Sequence, residues 1–136
     1  MELQESAHLV LQNQNLVAGR FYERFFTKYP EVRRYFEGTD MKRQAALLSM
    51  ALLLVEHHYK NRQQVTENYL KVLGHAHATR RGIPAVLFDA FTECLIETIA
   101  AFHGGAWTEH LAKQWREALD LAVGVMKEGY HGNYSV

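Results

Sequence analysis

Residues 73–84 read LGHAHATRRGIP, and the reading of this stretch decides how the rest of the chain is interpreted. An α-helix advances about 100° per residue, so Leu73 lies within about 40° of His77 around the axis and Tyr69 within about 80°. Tyr69, Leu73 and His77 therefore share one face, and the Gly82-Ile83-Pro84 break ends the helix just beyond them. His75 projects about 200° away, so a continuous helix offers only the His77 imidazole to whatever packs on the Leu73 side. A single imidazole on an apolar stripe serves either as a metal ligand or as a hydrogen-bonded core residue.

Upstream and downstream, apolar residues recur at three- and four-residue spacing rather than alternating, and the only prolines are Pro30 and Pro84. The expected architecture is all-α. A first amphipathic segment covers about 6–28, with Leu9, Val10, Leu16, Val17, Phe21, Phe25 and Phe26 as its apolar residues and a weak point at 13–15. Gly38, Thr39 and Asp40 form a corner into a helix over 41–58, which is apolar on nearly every face and is expected to cross the interior. A polar connection at 61–64 precedes the His77 helix. Pro84 suits the first position of a helix over 84–102, and Gly104-Gly105 separates it from a last helix over 107–128 carrying Leu111, Trp115, Leu119 and Ala122 on one side. The tail, 129–136, is expected to fray.

Bulk properties bound the function. At 136 residues with 48% hydrophobic content, the chain has the length of one domain, 1–136, with a real core. Its 15 basic and 15 acidic residues give zero formal charge, which removes the electrostatic case for nucleic acid or an anionic membrane as partner. The single cysteine, Cys94, precludes an intrachain disulfide and reads as a small buried apolar residue. The longest apolar run, 45–55, is too short to span a bilayer, and no signal segment opens the chain, so a cytoplasmic location is expected. His57, His58, His103, His110 and His131 lie near helix ends or polar faces and are expected at the surface.

The 73–84 segment resembles the proximal-histidine region of haem globins, in the His-Ala-Thr, three variable residues, Ile-Pro form found in myoglobin. The resemblance implies a globin fold over almost the whole chain, with helices packed around a haem pocket and His77 as the iron ligand. Leu73 and Ile83 match residues that pack on the haem face, and the second ring nitrogen of His77 would donate to a backbone carbonyl one turn earlier. Without a CxxCH site, the haem would be haem b held non-covalently.

Residues 20–26, RFYERFF, are similar to the Phe-Tyr-acid-Arg-x-Phe string of flavohaemoglobin-type bacterial globins, in which the tyrosine faces the distal side; here it is Tyr22. Pro30 follows eight residues later, as in that family, and Phe36 falls at the spacing of the phenylalanine that stacks on the porphyrin. Gln44, with Leu48 one turn on, resembles the distal glutamine and leucine of the same globins; Lys42 with Ala46 is the alternative register. Burying a charged Lys42 would cost desolvation that a neutral amide avoids, which favours Gln44. Arg81 could reach a haem propionate, or be solvated at the helix end, and Phe88 and Phe91 could wall the haem or serve as plain core.

Two departures separate the chain from flavohaemoglobins. Phe88 stands where they have a tyrosine, and the acid that pairs with their proximal imidazole has Glu128 as its nearest counterpart. Their reductase module is not seen in these residues, so electrons would come from an external reductase. The resemblance implies a haem protein that binds dioxygen and other diatomic gases, reversibly and tightly through Tyr22 and Gln44, with nitric oxide detoxification as a reductase-dependent extension. A gas sensor signalling to a partner, and a haem-free helical protein acting through contacts, are the alternatives. Either a monomer or a homodimer is compatible with this reading.

Overall fold

The structure is a computed structural model describing residues 1–130, with Arg80 described in its backbone alone. Six α-helices, α1 (Leu3–Gln12), α2 (Gln14–Lys28), α3 (Met41–Lys60), α4 (Gln64–Arg80), α5 (Leu87–His103) and α6 (Glu109–Tyr130), are joined by 3-10 turns at Pro30–Phe36 and Gly104–Ala106. No strand occurs among the described residues, in agreement with the all-α expectation. Gly129 and Tyr130 belong to α6 rather than to a frayed tail. The rest of that tail, with His131, lies outside the described residues.

The helix boundaries follow from local chemistry. The expected weak point separates α1 from α2 at Asn13, whose amide Nδ2 donates to the Leu9 carbonyl at 2.9 Å and so competes with helix continuation. Pro30 lacks the donor that α2 would need to continue, and the Tyr29 N–H closes the helix on the Phe25 carbonyl. Asp40 caps α3, its carboxylate accepting from the Lys42 and Arg43 N–H groups at 3.0 and 3.4 Å. Thr108 caps α6 by accepting from the Leu111 N–H at 3.1 Å, and the helix begins at Glu109, two residues later than the start expected at 107.

Pro84 does not open α5. Gly82, at φ +64°, turns the chain through a conformation that side-chain-bearing residues avoid, and the Ile83 N–H then folds back to the His77 carbonyl at 3.1 Å. Residues 82–84 are thereby committed to closing α4, and α5 starts only at Leu87, whose N–H donates to the Pro84 carbonyl.

Helix α5 packs against both α2 and α6, and α6 packs most extensively against α4. Phe21, Leu95, Ile99, Leu111 and Trp115 are all fully buried, and the Phe21, Phe25 and Phe91 rings pack with centroids 5.0 to 6.0 Å apart. Trp115 satisfies its Nε1–H on the Ser6 hydroxyl at 2.9 Å, tying α6 to α1. Cys94 is buried as expected. The central helix α3 buries Ala45, Leu48, Leu52 and Val55, but Leu47 and Met50 are 46% and 62% exposed. Its apolar character on two sides thus reflects two environments, the core and the rim of a cavity.

Two of the expected surface histidines are not at the surface. His58 is 1% exposed because the buried three-residue spacing of α3 continues from Leu52 and Val55 to His58; its Nε2 lies 3.6 Å from Glu67 Oε1. His103 is partly buried at the end of α5, where its Nε2 meets the Ser6 hydroxyl at 2.6 Å. His57 and His110 are exposed.

Helix α4 is drawn tightly against α6 by glycine. A Cβ on Gly74 would overlap the Met126 carbonyl, and one on Gly129 would overlap the Lys71 carbonyl, so each helix lets the other's backbone approach at a position where only hydrogen fits. The contact fixes α4 one turn before His77.

Candidate functional site

The α4 face that begins at Tyr69 looks into a cavity of about 560 Å³. Tyr22 and Phe25 of α2, Phe36 of the 3-10 turn, Leu47 and Leu48 of α3, Leu73 and His77 of α4, Phe88 and Phe91 of α5, and Ala122 and Met126 of α6 contribute to its wall. Arg81 and Ile83 reach it from the α4–α5 corner. Every site residue singled out in the sequence therefore lines one cavity: His77, Leu73, Ile83, Arg81, Phe36, Phe88, Phe91, Leu48, Tyr22 and Gln44. Lys42 and Ala46, the alternative register, are not among the lining residues, and Lys42 is exposed. A more open hollow of about 440 Å³ at residues 11–16 carries amides and no titratable side chain.

The cavity wall is mostly apolar, and no carboxylate side chain among the described residues lines it. His77 is the imidazole on that wall. Its Nδ1 lies 2.8 Å from the Leu73 carbonyl, and since a carbonyl only accepts, Nδ1 carries the proton and Nε2 keeps its lone pair. Burial pushes the His77 pKa below the ordinary histidine value, the Leu73 carbonyl pulling the other way and the Arg81 charge adding to the depression. The ring is therefore held neutral, the state in which imidazole ligates a metal. Phe88 packs edge-on against it, with centroids 6.4 Å apart. Glu128 is 62% exposed beside Lys71, 3.7 Å away, so the partner of Nδ1 is a backbone carbonyl rather than an acid.

The polar groups of the wall are linked in a chain. Gln44 Nε2 donates to the Tyr22 hydroxyl oxygen at 3.0 Å, and Arg81 Nη2 donates to Gln44 Oε1 at 3.0 Å. The Arg81 guanidinium also reaches the Tyr35 carbonyl at 3.4 Å and lies 5.1 Å from the centre of the Phe36 ring. Tyr22 is 5% exposed, and burial pushes its phenol up to about 12, against the lowering effects of Gln44 and Arg81. It is a neutral hydroxyl at any physiological pH.

Sequence reasoning missed three features of the site. The Arg81–Gln44 bond joins residues far apart in sequence and leaves no periodic trace. Gly74 and Gly129 seat α4 on α6; Gly74 leaves a trace as a glycine inside a helical pattern, whereas Gly129 falls just past the helix expected over 107–128. Leu47 and Met50, with Tyr69 of the expected His77 face, form an apolar rim of half-exposed side chains around the opening.

The globin family profile matches residues 19–126, and the chain belongs to the globin family. An uncharacterized globin-like protein of Aquifex aeolicus (strain VF5) is 23% identical over 119 residues, spanning 88% of this chain and 82% of that protein. The goat (Capra hircus) hemoglobin subunit zeta is 29% identical over 112 residues, 79% of this chain and 78% of the subunit. Among solved structures, shortfin mako (Isurus oxyrinchus) hemoglobin superposes with a TM-score of 0.74 at 19% identity, covering 94% of this chain and 97% of that one. The fold is thus the all-α globin fold, and family membership implies haem-based binding of diatomic gases.

The residues present fit a haem. A cavity of about 560 Å³ is within the roughly 300–1,000 Å³ of ordinary ligand sites, and its apolar wall suits a flat hydrophobic macrocycle. The neutral His77 Nε2 supplies one nitrogen donor, and the half-exposed Leu47, Met50 and Tyr69 are apolar surface that a bound macrocycle would shield from water. No helix among the described residues is long and apolar enough to cross a membrane.

Proposed function

We propose that this chain binds haem b non-covalently through His77 and retains dioxygen reversibly with high affinity. When bound, the haem would supply a ferrous centre able to take up dioxygen, carbon monoxide or nitric oxide. The observation that carries the reading is the hydrogen bond between buried Tyr22 and half-buried Gln44, which line the same cavity as a neutral, carbonyl-tethered imidazole. Leu73, Ile83, Phe36, Phe88, Phe91 and Leu48 would hold the macrocycle by apolar contact, exclude water and keep the local dielectric low.

Tyr22 does the selective work. Its hydroxyl stays protonated and is directed by its neighbour, so it donates to a diatomic ligand that accumulates negative charge, as dioxygen does and carbon monoxide does much less. A hydrogen bond to a charged acceptor is worth about 1.5–3 kcal/mol, or roughly ten- to 150-fold in retention. The Leu73 carbonyl as the His77 partner, in place of a carboxylate, leaves the imidazole a weaker electron donor and favours reversible binding over oxygen activation.

The same pocket supports nitric oxide detoxification when a separate reductase is available, since nitric oxide, dioxygen and one electron balance to nitrate. Stopped-flow measurement on the reduced, haem-loaded protein tests the primary reading: oxygen release should be slow in the native chain and about ten-fold or more faster in Tyr22→Phe. An unchanged rate would remove Tyr22 from the site. Nitric oxide consumption should stop after a single turnover without a reductase, and sustained consumption without an electron source would contradict the extension.

A further inference from the structure

We propose that Arg81 is a positioning residue that sets the hydrogen-bond direction of the Tyr22–Gln44 pair; the inference rests on the ligand-binding reading above. A guanidinium has donors and no acceptor, so the 3.0 Å bond from Arg81 Nη2 fixes the near end of the Gln44 amide as the carbonyl Oε1. The amide must then present Nε2 to Tyr22, which the 3.0 Å contact shows. A phenol oxygen that accepts from Nε2 keeps its own hydrogen for another partner. The chain therefore runs one way, from Arg81 through Gln44 to Tyr22, and ends in an O–H free to donate into the cavity.

Without Arg81, no other side-chain hydrogen bond among the described residues distinguishes the two ends of the amide. Gln44 can rotate so that Oε1 accepts from the Tyr22 hydroxyl, which satisfies the buried phenol internally and withdraws its proton from a ligand. Arg81 is well anchored for this task, since the Tyr35 carbonyl and the Phe36 ring hold the guanidinium at the cavity edge. Because Arg81 lies four residues beyond His77, at the end of the same helix, the distal donor is oriented from the helix that carries the imidazole.

The test compares the native chain with Arg81→Met and Arg81→Lys, each with and without Tyr22→Phe. In haem-free protein labelled with 15N-glutamine, the Gln44 side-chain amide should exchange slowly with solvent, exchange faster in Arg81→Met and recover protection in Arg81→Lys. In the reduced, haem-loaded protein under carbon monoxide, the C–O stretch should move to higher frequency in Arg81→Met and return toward the native value in Arg81→Lys. Oxygen release should quicken about five-fold in Arg81→Met, the worth of roughly one neutral hydrogen bond, and should not change when Tyr22 is already phenylalanine. An Arg81→Met effect that persists undiminished in the Tyr22→Phe background, or accompanies faster haem loss with an unshifted C–O stretch, would overturn the proposal in favour of a direct contact with the cofactor. If no haem binds at all, the functional reading fails, and the Gln44 amide in the haem-free protein still decides whether Arg81 orients it.

Discussion

Gln44 Nε2 stands 3.0 Å from the Tyr22 hydroxyl oxygen, a bond that joins α3 to α2 at the cavity wall and makes one donor unit of two side chains. Groups coupled in this way lose less when the second is removed than when the first is. Gln44→Leu and Tyr22→Phe should therefore be non-additive in oxygen release: each alone accelerates it, and the double variant should fall short of the product by about three-fold or more. Stopped-flow traces on the four proteins check this, and strict multiplicativity would show that the two side chains act independently.

Tyr22 also makes stability depend on alkaline pH. Its phenol is pushed up to about 12 when folded, whereas an exposed tyrosine ionises near 10, so between those values the unfolded chain releases a proton that the folded chain keeps. Stability from this group is intact below pH 10 and declines as the pH climbs toward 12, by roughly 2–3 kcal/mol in all. Urea unfolding of the haem-free protein at several pH values should show a decline in the native chain that is smaller in Tyr22→Phe. Equal declines would mean that the phenol is solvated.

Gly74→Ala tests the seat of the proximal helix. The added methyl would overlap the Met126 backbone carbonyl, which no rotamer change relieves, so the substitution should cost about 3 kcal/mol or more and loosen α4 against α6. A chemical denaturation midpoint close to native would contradict the close helix approach. Gly124→Ala, on α6 with open space around it, is the matched control and should be near neutral or slightly stabilising.

The cavity was legible because its residues sit at fixed helical offsets. Tyr22, Pro30 and Phe36 keep their spacing from α2 into the 3-10 turn, and Leu73, His77 and Ile83 keep theirs at the end of α4, so periodicity and family resemblance together pointed to the residues that line the cavity. His58 was misplaced because proximity to a helix end outweighed the three-residue spacing that carries it inward from Leu52 and Val55. Pro84 suited a helix start on local grounds, but the Ile83–His77 backbone bond and the left-handed Gly82 commit that segment to closing α4 instead. Arg81 could not be resolved from sequence: whether a long cation at a helix end meets water, a carboxylate or an amide depends on distances set by tertiary packing, and here it meets Gln44.

The most direct test of the account is a titration of ferric haem into the purified apoprotein, followed by reduction, for the native chain and for His77→Ala, with absorbance recorded throughout. The native protein should bind one equivalent and, when reduced, show the spectrum of a histidine-ligated haem that converts to a stable oxygenated form in air. His77→Ala should lose that ligation signature and release haem readily to a competing apoprotein. If His77→Ala instead kept the native spectra and the native rate of haem loss, His77 would not be the ligand and the account of this cavity would be wrong.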